Sequence, residues 1–161
     1  MRLFISYSTD DLDTVKELAR SLKPHAEVFY WDKSKEPGTS AWDKIFSWID
    51  IADLVVAIIT DKTVSRAMAV GQEIGRARAK KKTIVPLVAP GVKDADLGCL
   101  DGITYITLTE GSLDDVTGIL EKLIYKTKKQ KEQANKNLWT VLIVLGLASA
   151  IFGGHDDDDY Y

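Results

Sequence analysis

The chain has little of what metal and redox sites are made from. One cysteine, Cys99, stands among 161 residues, which excludes an intramolecular disulfide and any multi-cysteine zinc or iron–sulfur centre. The two histidines, His25 and His155, sit in no order that makes a Ser-His-Asp or Cys-His nucleophile. Neither G-x-G-x-x-G nor G-x-x-x-x-G-K-[ST] occurs, so the glycine-rich phosphate cradles have no counterpart here. A basic stripe is missing too. Residues 1–125 carry 16 Lys+Arg against 19 Asp+Glu, and because phosphate binding needs clustered cations, nucleic acid is not expected as the principal partner. The opening MRLFISYSTDD has no apolar stretch long enough for a signal peptide. What is present, 45% hydrophobic and 28% charged residues, suffices for one well-buried core and excludes wholesale disorder.

Charge is partitioned along the chain. Residues 126–136 hold five Lys and one Glu, residues 137–154 hold no charge, and residues 155–161 contain Asp156, Asp157, Asp158 and Asp159. The uncharged run NLWTVLIVLGLASAIFGG has 18 residues, against the roughly 17 to 25 that a helix needs to cross a bilayer. It is apolar around its whole circumference, so it is expected to bury in lipid as a single-pass helix; a core helix enclosed by protein is the alternative. Lysines flanking a span stay on the cytoplasmic side, which would set residues 1–125 in the cytoplasm. Trp139 suits an interfacial anchor, and Gly146, Ala150 and Gly154 form a small-xxx-small face permitting helix pairing. The expected organisation is a domain at 1–125, a basic linker with the end of the last helix at 126–136, a transmembrane helix at 137–154 and a solvated acidic tail at 155–161.

Within the domain, strand and helix patterns alternate five times. RLFISYS reads as a strand, with Asp10 placed to cap the helix that carries VKELARSL. Residues 26–31 form a second strand, followed by the loop DKSKEPGTS and a helix with Trp42, Ile45, Phe46 and Ile49 at helical spacing. ADLVVAIIT is a continuous apolar run, as in a central strand covered on both faces. A helix over residues 65–80 with an apolar face of Met68, Val70 and Ile74 leads to a strand at 83–88, whose Pro86 requires an edge or a bulge. A fifth strand, ITYITL, and the helix LDDVTGILEKLIYKTKKQ complete the series. This order predicts a mostly parallel five-stranded α/β sheet with helices on both faces. Ligands bind such sheets outside the carboxyl ends of the strands where strand order reverses; Tyr7 and Ser8, the loop after Trp31 and the stretch from Thr60 would line that crevice.

Two features could carry chemistry. Glu73, in SRAMAVGQEIGRARAKKK, lies towards the N-terminal half of its helix, where the dipole favours a carboxylate. By pattern alone it is either a functional group or a solvated carboxylate paired with Arg76 or a nearby lysine. The DKSKEPGTSAW loop has Pro37 and Gly38 in a turn, with Trp31 and Trp42 flanking it. It is either a stacking platform for a purine or pyridine ring or a surface turn between packed tryptophans. Cys99 falls in a loop and reads as a small core or surface residue.

These residues resemble the Toll/interleukin-1 receptor (TIR) domain family of prokaryotic type over residues 1 to 125. FISYS with Asp10 and Asp11 resembles the family's first box, Asp32 to Gly38 ahead of Trp42 its BB loop, and VGQEIGRARAKKKTIVPLV its glutamate-bearing helix and fourth strand. The resemblance implies a flavodoxin-like fold. It also implies cleavage of NAD+ at the nicotinamide–ribose bond, with NAD+ as substrate and no cofactor, and with Glu73 as the catalytic carboxylate. Phe4, Tyr7, Ser8, Asp32, Gly38 and Trp42 would border the nucleotide. Self-association would complete the site, with the membrane and other TIR or defence-system proteins as further partners in prokaryotic immune signalling. Many relatives carry Trp four residues before the glutamate, where this chain has Ala69. The family also contains non-catalytic scaffolds acting by TIR–TIR association, and the apolar segment admits a membrane-disrupting effector triggered by oligomerisation.

Overall fold

The computed structural model describes residues 1–32, 40–93, 98–108 and 113–144. Strands β1 (Arg2–Ser6), β2 (Glu27–Tyr30), β3 (Leu54–Ile59), β4 (Thr83–Val88) and β5 (Ile106–Thr107) alternate with helices α1 (Leu12–Leu22), α2 (Ala41–Ile51), α3 (Ala67–Ala79) and α4 (Leu113–Val144). The strands pair in parallel in the order β2-β1-β3-β4-β5, so the expected α/β architecture is present. β3 is central and buried at every position, as its uninterrupted apolar sequence requires of a strand covered on both faces.

Side-chain alternation sorts the core into two layers. Leu3, Ile5 and Tyr7 with Leu54, Val56 and Ile58 pack on Val15, Leu18 and Leu22 of α1 and on Val116, Leu120 and Ile124 of α4. On the opposite face, Phe4 and Val55 pack with Ile45 and Ile49 of α2 and Ala77 of α3. Ala57 and Ile59 on that face meet Val70 and Ile74 of α3. α2 begins where Ser40 Oγ accepts the Asp43 backbone N–H at 3.4 Å, satisfying one of the N–H groups that a helix start leaves open. α3 ends with Lys81 at φ 52°, where Lys82 N–H reaches the Ala77 carbonyl and Lys81 N–H that of Arg78, both at 2.9 Å. That is the Schellman closure.

Several expectations are corrected. Met68 is 80% exposed, because the buried stripe of α3 is Val70, Glu73, Ile74 and Ala77 and Met68 lies about 200° around the helix from Val70. Asp10 is not the cap of α1: it is exposed within a 3-10 turn at Thr9–Asp11, and the cap position is Asp11, whose side chain makes no cap bond. Pro86 sits in an interior strand, yet β5 meets β4 only at Leu87 and Val88, so β4 is still an edge at the proline. The fifth strand is two residues long, shorter than ITYITL.

The chain divides into two compact units, Met1–Ile124 and Tyr125–Tyr161. The first holds the sheet. In the second, helix continues to Val144, and Lys129 Nζ lies 4.8 Å from the Tyr125 ring centroid. Among the described residues no helix is long and apolar enough to cross a membrane. Residues 145–154 of the uncharged run, with Gly146, Ala150 and Gly154, and the acidic tail lie outside the described residues.

Candidate active site

Strand order reverses between β1 and β3, so the carboxyl ends of these two strands form the crevice where such sheets bind ligands. Glu73 stands on the side of α3 that packs against this part of the sheet. It is 6% exposed, between Val70 and Ala77 on a stripe of otherwise apolar residues. Glu73 is therefore not a solvent-facing helix carboxylate. Arg76 instead grips Asp50 of α2, with Nε and Nη2 at 2.9 and 2.6 Å from the two carboxylate oxygens. That guanidinium holds the Asp50 carboxyl below its ordinary range, with Lys80 and Lys82 acting in the same direction. Nor does the helix dipole explain Glu73, since it is the seventh residue of α3 and the effect fades beyond the first turn.

The loops at the crevice are tied to one another. Asp11, 6% exposed, accepts the Thr60 hydroxyl at 2.8 Å and has Lys62 Nζ at 3.6 Å. Thr60 N–H donates to Thr63 Oγ1 at 2.9 Å, and Ser8 Oγ–H donates to the Lys62 carbonyl at 3.3 Å. The chain leaving β1 is thus bonded directly to the chain leaving β3. Ser6 stands apart: its Oγ is buried and has no hydrogen-bond partner among the described residues. Such an orphan costs about 1–3 kcal/mol.

The residues expected to border a nucleotide fall into distinct places. Ser8 is fully buried in the tie just described. Tyr7 points to the other face of the sheet and its hydroxyl donates to the Trp31 carbonyl, fixing the exit of β2. Phe4, 1% exposed, is a core residue against Trp48 at 6.4 Å between ring centroids. Asp32 is buried, with Lys16 Nζ at 3.6 Å. Trp42 is 37% exposed and lies against Phe46 at 5.4 Å, whereas Trp31 lies against Trp48 at 6.4 Å. The two tryptophans thus belong to separate aromatic contacts. Gly38 and Pro37 lie outside the described residues. A cavity of about 220 Å³ runs beside β2, lined by Phe29, Tyr30, Trp31 and Trp48 with Lys23 and Asp32.

Sequence reasoning set the stretch from Thr60 at the crevice but missed Ser6, Asp11 and Thr63 as parts of the site. Asp11 had a signal: it lies three residues beyond the predicted strand RLFISYS at the switch point. Ser6 had only the alternation of FISYS, which sets it on the face of Phe4. Cys99 is partly buried, and burial pushes its thiol upward from the ordinary range, as suits an inert side chain.

A parallel sheet in this order, with a buried carboxylate beside its switch point, defines a flavodoxin-like α/β domain. Residues 3–124 match the TIR domain family model, and the chain belongs to that family. No curated protein matches the chain. Among solved structures, the TIR domain of the Toll-related receptor TRR-2 from Hydra magnipapillata superposes with TM-score 0.61 at 13% identity, over 78% of this chain and 97% of that one. A 2-deoxyribosyltransferase from Bacillus psychrosaccharolyticus gives 0.55 at 18%, over 73% and 90%. The CMP N-glycosidase BcmB from Clostridium botulinum gives 0.53 at 21%, over 72% and 98%. These likenesses establish the fold.

Proposed function

We propose that this TIR domain cleaves the nicotinamide–ribose bond of NAD+ when it self-associates, as a hydrolase or ADP-ribosyl cyclase in prokaryotic antiphage defence or signalling. The observation that carries the reading is Glu73, a carboxylate kept in an apolar helix face beside the switch-point crevice. Breaking the N-glycosidic bond sends its electron pair to the nicotinamide ring nitrogen and leaves positive charge on the ribose. A carboxylate oriented there holds the ribose hydroxyls and stabilises that charge. Water then gives ADP-ribose, or an adenine nitrogen gives a cyclic isomer. Two chains sharing this fold support the reading by their names, one a CMP N-glycosidase and one a 2-deoxyribosyltransferase.

Residues 137–154 act as the membrane anchor in this proposal, with Lys126, Lys128, Lys129 and Lys131 keeping the domain on the cytoplasmic side. Confinement to a surface raises effective concentration and favours assembly of a composite site. The test is nicotinamide release by concentrated or liposome-bound protein. Glu73→Ala is expected to abolish it, and equal release from both proteins would remove Glu73 as the catalyst. Ala69, in place of the tryptophan many relatives carry, favours a second reading, a scaffold that recruits other TIR domains. Intact NAD+ after long incubation of assembled protein would select it.

A further inference from the structure

Crevice hydroxyls are almost all committed to holding loops. Tyr7 serves the Trp31 carbonyl, Ser8 the Lys62 carbonyl and Thr60 the Asp11 carboxylate. Ser6 Oγ alone among the buried side-chain polar atoms of the described residues has no partner, and it is fully buried.

Register shows what it faces. Ser6 is on the same side of β1 as Phe4 and pairs across the sheet with Ala57 of β3. Phe4 packs in one cluster with Ala77 of α3, while Ala57 packs with Val70 and Ile74. α3 returns antiparallel to the strands, as a crossover helix must. One turn back from Ala77, about 6 Å along the helix, is Glu73. Two residues on from Phe4, about 6.6 Å along the strand, is Ser6. The orphan hydroxyl thus lies on the sheet face that α3 covers, and its cross-strand partner Ala57 shares a cluster with Val70 and Ile74, the buried residues on either side of Glu73.

We propose that Ser6 is a positioning residue for Glu73: with substrate in the crevice, the carboxylate turns towards the sheet and one oxygen accepts the Ser6 Oγ–H, leaving the other for the ribose. This rests on the enzymatic reading of Glu73. An alanine would fill the site without burying an unpaired hydroxyl, so the serine is kept at a cost to the resting fold. The hydroxyl supplies a neutral donor at a point that water cannot reach, and so holds the carboxylate ionised and oriented without cancelling its charge.

The experiment compares wild type with Ser6→Ala in the full chain on liposomes, measuring nicotinamide release across pH. Ser6→Ala is expected to lower kcat about 10-fold to 100-fold, the range for a hydrogen bond to a charged group. KM should stay within about twofold, because the contact orients the carboxylate instead of binding substrate. The acid limb of the kcat profile is expected to rise by about one pH unit as the carboxylate loses its donor, and the unfolding temperature not to fall. A variant with wild-type kcat and an unshifted limb would overturn the proposal. If wild type releases no nicotinamide, the enzymatic reading falls, and Ser6 is decided separately by ¹³C carboxyl titration of Glu73 with and without ADP-ribose. A higher midpoint in Ser6→Ala under either condition sustains the contact; the same midpoint in both proteins refutes it.

Discussion

Replacing Thr60 with Val deletes the bond that joins the two strand ends at the crevice while preserving shape. Thr60 Oγ1 lies 2.8 Å from Asp11 Oδ2, and Asp11 is 6% exposed, so water cannot readily take the place of the lost donor. Hydrogen bonds to charged groups contribute about 1.5–3 kcal/mol. The remaining ion pair with Lys62 spans 3.6 Å to a side chain 51% exposed, worth at most about 1 kcal/mol. It cannot compensate. The accompanying loss, an acceptor for the exposed Lys62 N–H at 3.2 Å, is small because solvent replaces it. Thr60→Val is therefore expected to cost about 2 kcal/mol. Spread over the 124 residues of the first unit at about 2.1 cal/mol/K each, that lowers the unfolding temperature by about 8 °C. Urea titrations of Thr60→Val, Asp11→Ala and the double variant close a cycle whose coupling should be about 1.5 kcal/mol or more. Single costs that add to within about 0.5 kcal/mol would show that the two groups do not interact.

The other expectations are independent of that tie. Lys81 holds φ 52° at the end of α3, a conformation that strains any residue with a Cβ. Lys81→Gly is expected to stabilise the domain by about 0.5–1 kcal/mol, while Lys81→Ala, which keeps the strain, should stay close to wild type in the same urea titration. Asp50 has its folded-state carboxyl held below the ordinary 3.8 by Arg76. A depressed pKa contributes stability that is complete above the unfolded value and is lost as pH falls through the folded one. Urea midpoints should accordingly fall more steeply below about pH 4 in wild type than in Asp50→Asn; parallel curves would exclude the pair as a contributor.

The fold was legible wherever burial dictates the pattern. β3 could be read as the central strand because LVVAII has no polar side for solvent, and α1 because Val15, Leu18 and Leu22 recur at helical spacing and are all buried. Elements failed where burial does not decide. ITYITL is made of strand-favouring residues but pairs only at Ile106 and Thr107, since strand length at a sheet edge depends on the neighbour. Asp10 and Asp11 are equivalent as caps in sequence; the choice fell to neither, because a distant hydroxyl, Thr60, takes the Asp11 carboxylate.

The site divides along the same line, and that division explains why Glu73 and Ser6 were not equally visible. A glutamate on a helix is common, and only tertiary packing distinguishes one that is 6% exposed from one paired on the surface; here Arg76 is withdrawn by Asp50, a residue 26 positions away in sequence. The family resemblance singled out Glu73 through the run VGQEIGRARAKKK, which packing then sets on a buried stripe with Val70, Ile74 and Ala77. No resemblance was needed for Ser6, and no sequence signal could have sufficed: a serine in a strand is unexceptional until every neighbouring hydroxyl is accounted for. Its significance lies in a difference, between hydroxyls that hold the crevice shut at Asp11, Trp31 and Lys62 and one that holds nothing. The fold ties three loops with side-chain oxygens and leaves Ser6 Oγ without a partner among the described residues, on the sheet face covered by the helix that carries Glu73, the one buried glutamate among them.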